Sequence, residues 1–125
     1  MYEEDTMITR FLGQNISTKN PQELAAFYQN LGIKVFRTFG ESYDGSRIAN
    51  SEDEPCVFIW DSTKWGNSTG GYVHLVFKVD DVHKTYEELL QKGLSLDPPE
   101  KQSWGEYELH LKDPDGNVLA LMERM

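Results

Sequence analysis

The sequence predicts an α+β fold in which two tandem βαβββ modules form curved mixed sheets around a cleft, with the helices on the outside. Two helix signatures with the same start and stop residues indicate this architecture. Asn20 and Asp81 begin them, and Gly32 and Gly93 end them. Both pairs of landmarks are separated by 61 residues. Two landmarks at one offset indicate an internal duplication.

The first predicted helix has clear boundaries. Asn20 is a good N-cap, Pro21 suits the first helical position, and Glu23 stands where a capping box requires an acid. Gly32 follows where a left-handed terminating residue is expected. Spacings of three and four residues align one apolar face, which consists of Leu24, Phe27, Tyr28 and Leu31.

The second predicted helix repeats this pattern. Asp81 caps its start, and Gly93 ends it. Its apolar side consists of Val82, Tyr86, Leu89 and Leu90. His83 falls in its first turn, where we expect a solvated surface position.

Each helix is preceded by one strand-like segment and followed by three. In the first module, at about 8–61, the strands are predicted near 11–17, 33–38, 46–50 and 56–60. In the second module, at about 72–125, they are predicted near 72–79, 94–97, 106–112 and 117–123. The linker at 62–71 is rich in Gly, Ser, Thr and Asn, as is typical of a boundary between modules. Asp113-Pro114-Asp115-Gly116 predicts a turn between the last two strands.

The uncovered face of each predicted sheet is where chemistry is expected. A four-stranded sheet with one helix leaves its other face needing cover. Two such sheets that curl side by side can form an open cleft with a lining from both.

The net charge of the chain limits the classes of partner that it is expected to bind. Twelve basic and 21 acidic residues give a formal net charge of −9. Phosphate backbones and anionic lipids are bound through Lys and Arg, so this balance argues against nucleic acid and membrane surfaces as partners. It favours neutral or cationic small ligands through the summed field of the protein, although an ordinary acidic protein has the same balance.

Cysteine usage and the first residues of the chain favour a cytoplasmic location. Cys56 is the single cysteine, so it cannot form an internal disulfide. It stands in an apolar stretch, and a buried thiol that packs like a small hydrophobe is favoured over a catalytic one. No apolar run approaches the roughly 20 residues that span a bilayer, and the acidic first residues do not form a secretory signal.

Several short motifs, in this order, resemble the glyoxalase/bleomycin-resistance/dioxygenase superfamily, also called the vicinal oxygen chelate superfamily. The motifs are Phe27-Tyr28 with Leu31-Gly32, His74-Leu75-Val76-Phe77 with Val79-Asp80-Asp81-Val82, Trp104-Gly105, and Asp113-Pro114-Asp115-Gly116-Asn117. The resemblance extends from about Arg10 to Glu123. It implies paired βαβββ modules, a U-shaped cleft and a homodimer. It also implies one of two kinds of function. Some members are metal-dependent enzymes such as isomerases, thiol transferases and dioxygenases, and others bind no metal and sequester antibiotics.

The resemblance places the family's four metal-ligand positions on identifiable residues. They are Gly13, His74, Ala120 and Ile59, or Phe58 in place of Ile59 if the turns differ by one residue. Only His74 has a side chain that can bind a metal, whereas zinc, nickel or iron requires three or four protein ligands. We therefore expect no metal and no other cofactor.

A rebuilt divalent-metal site is the less favoured alternative. If the alignment with the family is shifted by one residue, Gln14 takes the first metal-ligand position. His110 or Glu123 could then supply further ligands from neighbouring strands. Strand alternation nevertheless sends Gln14 to the face opposite Gly13. His74 is the best candidate for a catalytic residue, as an imidazole that exchanges protons near neutral pH, but a structural histidine satisfied by a hydrogen bond is favoured. For His110, the sequence leaves open whether its side of the strand faces solvent or the mouth of the cleft.

Aromatic residues in loops and at strand ends are the alternative basis for ligand binding. Together with His74, the candidates are Phe39, Trp60, Trp65, Trp104 and Tyr107. Tyr and Trp combine a large apolar area with a polar group, which suits planar or cationic ligands. For each aromatic taken singly, core packing is the more common role. The segment 40–45 has the composition of a flexible flap or of an ordinary surface turn.

These observations favour a metal-independent small-molecule binding protein that is not an enzyme. The alternative is a glyoxalase-like lyase or isomerase, or a dioxygenase, with a rearranged site that uses His74. A non-catalytic interaction module is the third hypothesis.

Overall fold

The computed structural model describes residues 7–123, which form eight strands and three helices. The first half contains β1 (Gly13–Thr18), α1 (Pro21–Asn30), β2 (Lys34–Phe36), β3 (Ser46–Ala49) and β4 (Cys56–Asp61). A short helix, α2 (Ser62–Trp65), follows. The second half contains β5 (His74–Lys78), α3 (Val82–Gln91), β6 (Glu100–Lys101), β7 (Tyr107–Lys112) and β8 (Val118–Met122).

The strands form two four-stranded mixed sheets with the same topology. Sheet 1 has the order β1-β4-β3-β2, and sheet 2 has the order β5-β8-β7-β6. In each sheet the first and last strands of the half-chain pair in parallel, and the other pairs are antiparallel. The predicted α+β fold class is confirmed.

The predicted caps form at both long helices. The Asn20 side chain accepts a hydrogen bond from the amide of Glu23 at 3.0 Å. The Asp81 side chain accepts one from the amide of Lys84 at 3.0 Å. Side-chain acceptors at these positions satisfy amide groups that have no partner within the helix.

One prediction of local structure is wrong. Residues 94–97 are not a strand, and the edge strand β6 begins only at Glu100. Pro98 and Pro99 have no amide hydrogen for a sheet ladder, so pairing starts after them. Within the predicted linker 62–71, α2 occupies Ser62–Trp65, and Asp61 caps it by accepting a hydrogen bond from the amide of Thr63 at 2.9 Å.

One face of each sheet packs into a single core shared by both halves. Its fully buried members include Ile16, Leu24, Ile59, Leu109 and Leu119. Across the halves, the buried Tyr28 hydroxyl donates to Asp113 Oδ2 at 2.7 Å. Near neighbours in sequence also hold Asp113, because the side-chain amide of Asn117 donates to the same carboxylate at 3.0 Å. The two halves therefore form one packed body.

No helix among residues 7–123 is both long enough and apolar enough to cross a membrane.

Candidate functional site

The face of sheet 1 that points away from the core carries Trp60, one of the predicted ligand-binding residues. Strand alternation divides β4 into buried Val57 and Ile59 on one side and Cys56, Phe58 and Trp60 on the other. The register adds the neighbouring residues on that second side. This open face of sheet 1 consists of Gly13, Asn15 and Ser17 from β1, Cys56, Phe58 and Trp60 from β4, Arg47 from β3 and Phe36 from β2.

A concavity of about 540 Å³ lies at one end of this open face. We name it the tryptophan pocket, and it is lined by Asn15, Ser17, Trp60, Trp65, Gly66, Asn67 and Thr69. Its volume falls in the range of about 300–1,000 Å³ that is usual for small-molecule sites. Two large aromatic rings with a few polar groups are a lining suited to a flat organic molecule.

Trp60 is held in place by two contacts. Its indole Nε1 donates to Asn15 Oδ1 at 2.9 Å. Its ring also stacks on Phe58, with centroids 6.5 Å apart and planes 18° apart. Because the indole N–H is satisfied inside the protein, the ring contributes its apolar surface to the pocket.

Trp65 is fixed through Asp44. The Trp65 Nε1 donates to Asp44 Oδ2 at 3.0 Å, and the Asp61 amide donates to Asp44 Oδ1 at 2.8 Å. The residue remains 63% exposed, so the ring is anchored at its polar edge and open to solvent. The hydroxyl and the amide of Thr63 donate to Asp61 and lower the pKa of that carboxyl group, which stabilises the charged cap of α2.

Phe39 lies close to the same site. At Gly45, an added Cβ would lie 2.5 Å from the Phe39 ring and 3.3 Å from the Trp60 ring. The φ angle of Gly45 is +82°, a conformation that favours glycine. Glycine at this position thus allows Phe39 to approach Trp60 across the end of the 40–45 loop.

The structure places Trp104 and Tyr107 away from the tryptophan pocket. Trp104 is exposed in the loop between β6 and β7. Tyr107 contacts the His83 ring of α3, with centroids 4.9 Å apart. The predicted site residues thus separate into Trp60, Trp65 and Phe39, which lie together, and others that lie elsewhere.

The family's metal-ligand positions offer one metal-binding side chain. An added Cβ at Gly13 would lie 1.7 Å from the Cys56 carbonyl oxygen, at a φ of +142°, so the backbone excludes a side chain there. Ile59 is fully buried in the core, whereas Phe58 lies on the open face. Ala120 has no donor atom, and His74 alone provides an imidazole. These residues do not fit a metal that requires three or four ligands.

The residues considered for a rebuilt metal site do not converge. Gln14 pairs with the core-facing Val57 and thus lies on the side of β1 opposite Gly13. His110 lies 3.0 Å from Glu108 on the open side of sheet 2, next to Ala120. Glu123 accepts a hydrogen bond from the Val82 amide at the start of α3. There it joins Asp81 and His83 in an exposed group whose potential ligand atoms lie within 4.8 Å of one another. Between residues 7 and 123 this is the one such group of three His, Cys, Asp or Glu side chains.

Cys56 is half-buried on the open face beside Gly13. Burial raises the pKa of its thiol, and the nearby Arg47 opposes that change. The thiol is therefore not activated as a nucleophile.

The fold and the pocket define a class of protein with two βαβββ modules and an aromatic-lined open face. Residues 8–121 match the model of the Glyoxalase/Bleomycin resistance protein/Dioxygenase superfamily. The chain belongs to this superfamily, as its motifs predicted. It is also 36% identical over 53 residues to the uncharacterized protein YraH of Bacillus subtilis (strain 168). That match spans 41% of this chain and 41% of YraH.

Solved structures share the fold over nearly the full chain. A bleomycin-binding protein complexed with bleomycin is 22% identical, with a TM-score of 0.68, over 94% of this chain and all of that one. TnmS3, an antibiotic binding protein from Streptomyces sp. CB03234, is 20% identical, with a TM-score of 0.76, over 96% and 99% of the two chains. Lactoylglutathione lyase from Agrobacterium tumefaciens is 14% identical, with a TM-score of 0.74, over 93% and 94%. At these identities the likeness establishes the fold alone.

Proposed function

We propose that this chain is a non-enzymatic binding protein that holds a planar small molecule in the tryptophan pocket without a metal. The observation that carries this proposal is the pair of tryptophans whose indole N–H groups are satisfied by Asn15 and Asp44. With their polar edges occupied, both rings present apolar surface to the pocket. Stacking of a flat ligand on such rings is favourable beyond the area that it buries.

The comparisons include proteins that bind small molecules, which supports a binding role. Two of the proteins that share the fold bind bleomycin or an antibiotic, so the superfamily includes members that act by binding. The lyase in the same set shows that the fold also supports catalysis. The family's metal-ligand positions fall on Gly13, Phe58, His74 and Ala120, which together provide one imidazole and no carboxylate. This composition favours metal-free binding.

We propose a homodimer as the working form. Large apolar side chains are exposed in the segment before β1, just before β5 and within β5, namely Met7, Ile8, Phe11, Leu12, Tyr72 and Val76. A second copy that packed against these side chains would remove them from water, and exposed apolar patches often mark protein–protein interaction sites. A reducing cytoplasm is the proposed location, consistent with one unpaired cysteine.

Calorimetric titration tests the binding proposal. The probes are acridine orange, which is planar and cationic, and 2-naphthamide, which is planar and neutral. We expect saturable binding of at least one probe, weakened about tenfold or more in Trp65→Ala by the loss of stacking area. Trp104→Ala is the matched control, because Trp104 is an exposed tryptophan outside the pocket. Failure of both probes to bind, or equal weakening in the two variants, would contradict the proposal.

The second candidate is a metal-dependent lyase, isomerase or dioxygenase with a rearranged site. The exposed His74 and the His110–Glu108 pair on the open side of sheet 2 favour it. It predicts stoichiometric divalent metal in protein purified without chelator, and loss of that metal in His74→Ala. Elemental analysis of both proteins decides between the two candidates.

A further inference from the structure

We propose that the tryptophan pocket selects a neutral planar molecule with a carbonyl group at its edge, such as an aromatic amide or lactam. This inference rests on the proposed binding of a planar molecule in that pocket. It names the hydrogen bonds that distinguish one flat ligand from another, which stacking on the indole rings alone does not do.

Ser17 provides a hydroxyl group that the protein itself does not use. The residue lines the pocket and is only 8% exposed. Its amide donates to Thr69 Oγ1 at 3.1 Å, and its carbonyl accepts from the Thr69 amide at 3.1 Å, so its backbone groups are satisfied. The Ser17 hydroxyl has no hydrogen-bond partner between residues 7 and 123.

This hydroxyl is open to the pocket. In the described part of the chain, the one fully enclosed side-chain nitrogen or oxygen without a partner is Asp115 Oδ2. The Ser17 oxygen is therefore not sealed inside the protein, although the residue is more than nine-tenths buried. Buried polar groups are nearly always hydrogen-bonded, so a ligand that reaches this hydroxyl gains a bond with a group that is already held in place.

Asn15 provides a second donor, and its orientation is fixed. Its side-chain oxygen accepts from Trp60 Nε1 at 2.9 Å. Because an indole N–H can only donate, the atom that faces it must be the oxygen, which leaves the amide nitrogen of Asn15 outside that bond. This nitrogen has no acceptor among residues 7–123.

The two groups lie side by side next to Trp60. Asn15 precedes Ser17 by two positions on β1, so the two residues share the open face with Cα atoms about 6–7 Å apart. Ser17 is also the register partner of Trp60 on β4. A carbonyl oxygen has two lone pairs and can accept from both donors. In an aromatic amide or lactam the carbonyl lies at the edge of the flat ring system, where it meets this wall while the ring stacks.

The charge of the lining favours a neutral ligand. The seven described residues that line the pocket are all uncharged. Asp44, which holds Trp65, also accepts from the Asp61 amide and lies 4.0 Å from Lys64. Its carboxylate is therefore already occupied by groups of the protein, and the pocket presents neutral hydrogen-bonding groups to a ligand.

Calorimetry with 2-naphthamide and 2-naphthamidine tests the inference. The two compounds have the same shape, but the amidinium group has a second nitrogen in place of the carbonyl oxygen, so it donates and cannot accept. The net charge of −9 attracts the cation at long range. We nevertheless expect the wild-type protein to bind naphthamide at least about fivefold more tightly, as neutral hydrogen bonds to the carbonyl allow.

Three substitutions assign this preference to the two groups. Ser17→Ala removes a hydroxyl with no partner in the protein, so the fold should persist while naphthamide binds about fivefold more weakly. Ser68→Ala is the matched control, an exposed serine next to the pocket in sequence but outside its lining, and should leave the affinity unchanged. Asn15→Asp keeps an oxygen for the Trp60 indole but replaces the free amide nitrogen with a carboxylate oxygen. It should reverse the preference in favour of naphthamidine.

The outcomes separate this inference from the proposed function. If naphthamide binds no more tightly than naphthamidine, or if acridine orange binds and naphthamide does not, the planar site stands and the carbonyl inference fails. Equal naphthamide affinities in Ser17→Ala and Ser68→Ala, or a preference for naphthamide that persists in Asn15→Asp, also overturn it. If neither naphthyl compound nor acridine orange binds, the planar-ligand proposal fails, and the inference fails with it.

Discussion

Replacing Tyr28 with phenylalanine should lower the free energy of unfolding, because it removes a buried hydrogen bond between the two halves. The Tyr28 hydroxyl donates to Asp113 Oδ2 at 2.7 Å across 85 residues of sequence. Phenylalanine keeps the ring in the core but leaves a buried carboxylate one donor short. A hydrogen bond to a charged group contributes about 1.5–3 kcal/mol. We therefore expect the free energy of unfolding to fall by about 2 kcal/mol and the Tm by about 6–10 °C.

The same substitution should change the response to alkali. Burial, together with the neighbouring Asp113, raises the pKa of Tyr28 well above its ordinary value. The folded state therefore keeps this proton above about pH 10, where an unfolded tyrosine loses it. Wild-type stability should then decrease as the pH rises above about 10, by up to about 1.4 kcal/mol per pH unit from this group. Tyr28→Phe should lack this contribution.

Urea denaturation at pH 7 and at alkaline pH measures both effects. Tyr72→Phe is the matched control, because Tyr72 is 87% exposed and its loss should leave stability unchanged. Equal urea midpoints for Tyr28→Phe and the wild type at pH 7 would refute the contribution assigned to the bond. A parallel alkaline decline in the two proteins would refute the assignment to Tyr28.

Three further substitutions follow from the geometry. Gly13→Ala should cost about 3 kcal/mol or more in urea denaturation, because its Cβ would overlap the Cys56 carbonyl; a loss below 1 kcal/mol, as an order of magnitude, would show that β1 shifts easily. Asn20→Ala should cost about 1 kcal/mol through the lost cap, measured in the same way, whereas a neutral result would mean that water replaces the side chain. Asp44→Ala should release Trp65, seen as increased fluorescence depolarisation and weaker binding of the planar probes; unchanged depolarisation would count against the anchoring role of Asp44.

The parts of the fold that were predicted from sequence depend on local signals. The caps at Asn20 and Asp81 and the glycines at 32 and 93 act within a few residues, so the helices and the duplication could be predicted correctly. Residues 94–97 misled the prediction because the repeat suggested a strand there. Pro98 and Pro99 delay pairing until Glu100.

The site was predicted only in part, because its assembly depends on contacts between distant residues. Trp60 and Trp65 were named from their residue type, and the structure brings them to one pocket. Asn15 and Asp44, which hold them, were not named, since they lie 45 and 21 residues from their partners. The period-two pattern of β1 places Asn15 on the side opposite the core, but only the register with β4 brings it to Trp60. Trp104 was named on the same ground of residue type, but it lies in the loop between β6 and β7, outside the tryptophan pocket.

The end of the linker between the two halves, residues 69–71, is hydrogen-bonded to both halves. The Thr69 amide donates to the Ser17 carbonyl at 3.1 Å, and the Gly71 amide donates to Asn117 Oδ1 at 3.1 Å. With Tyr28 also bound to Asp113, a hinge between the halves would break several bonds at once. The tryptophan pocket is lined entirely by residues between Asn15 and Thr69, so it belongs to the first half and its linker. A ligand should therefore enter and leave while the two sheets behave as a rigid frame, and its exchange rate should not depend on movement between them.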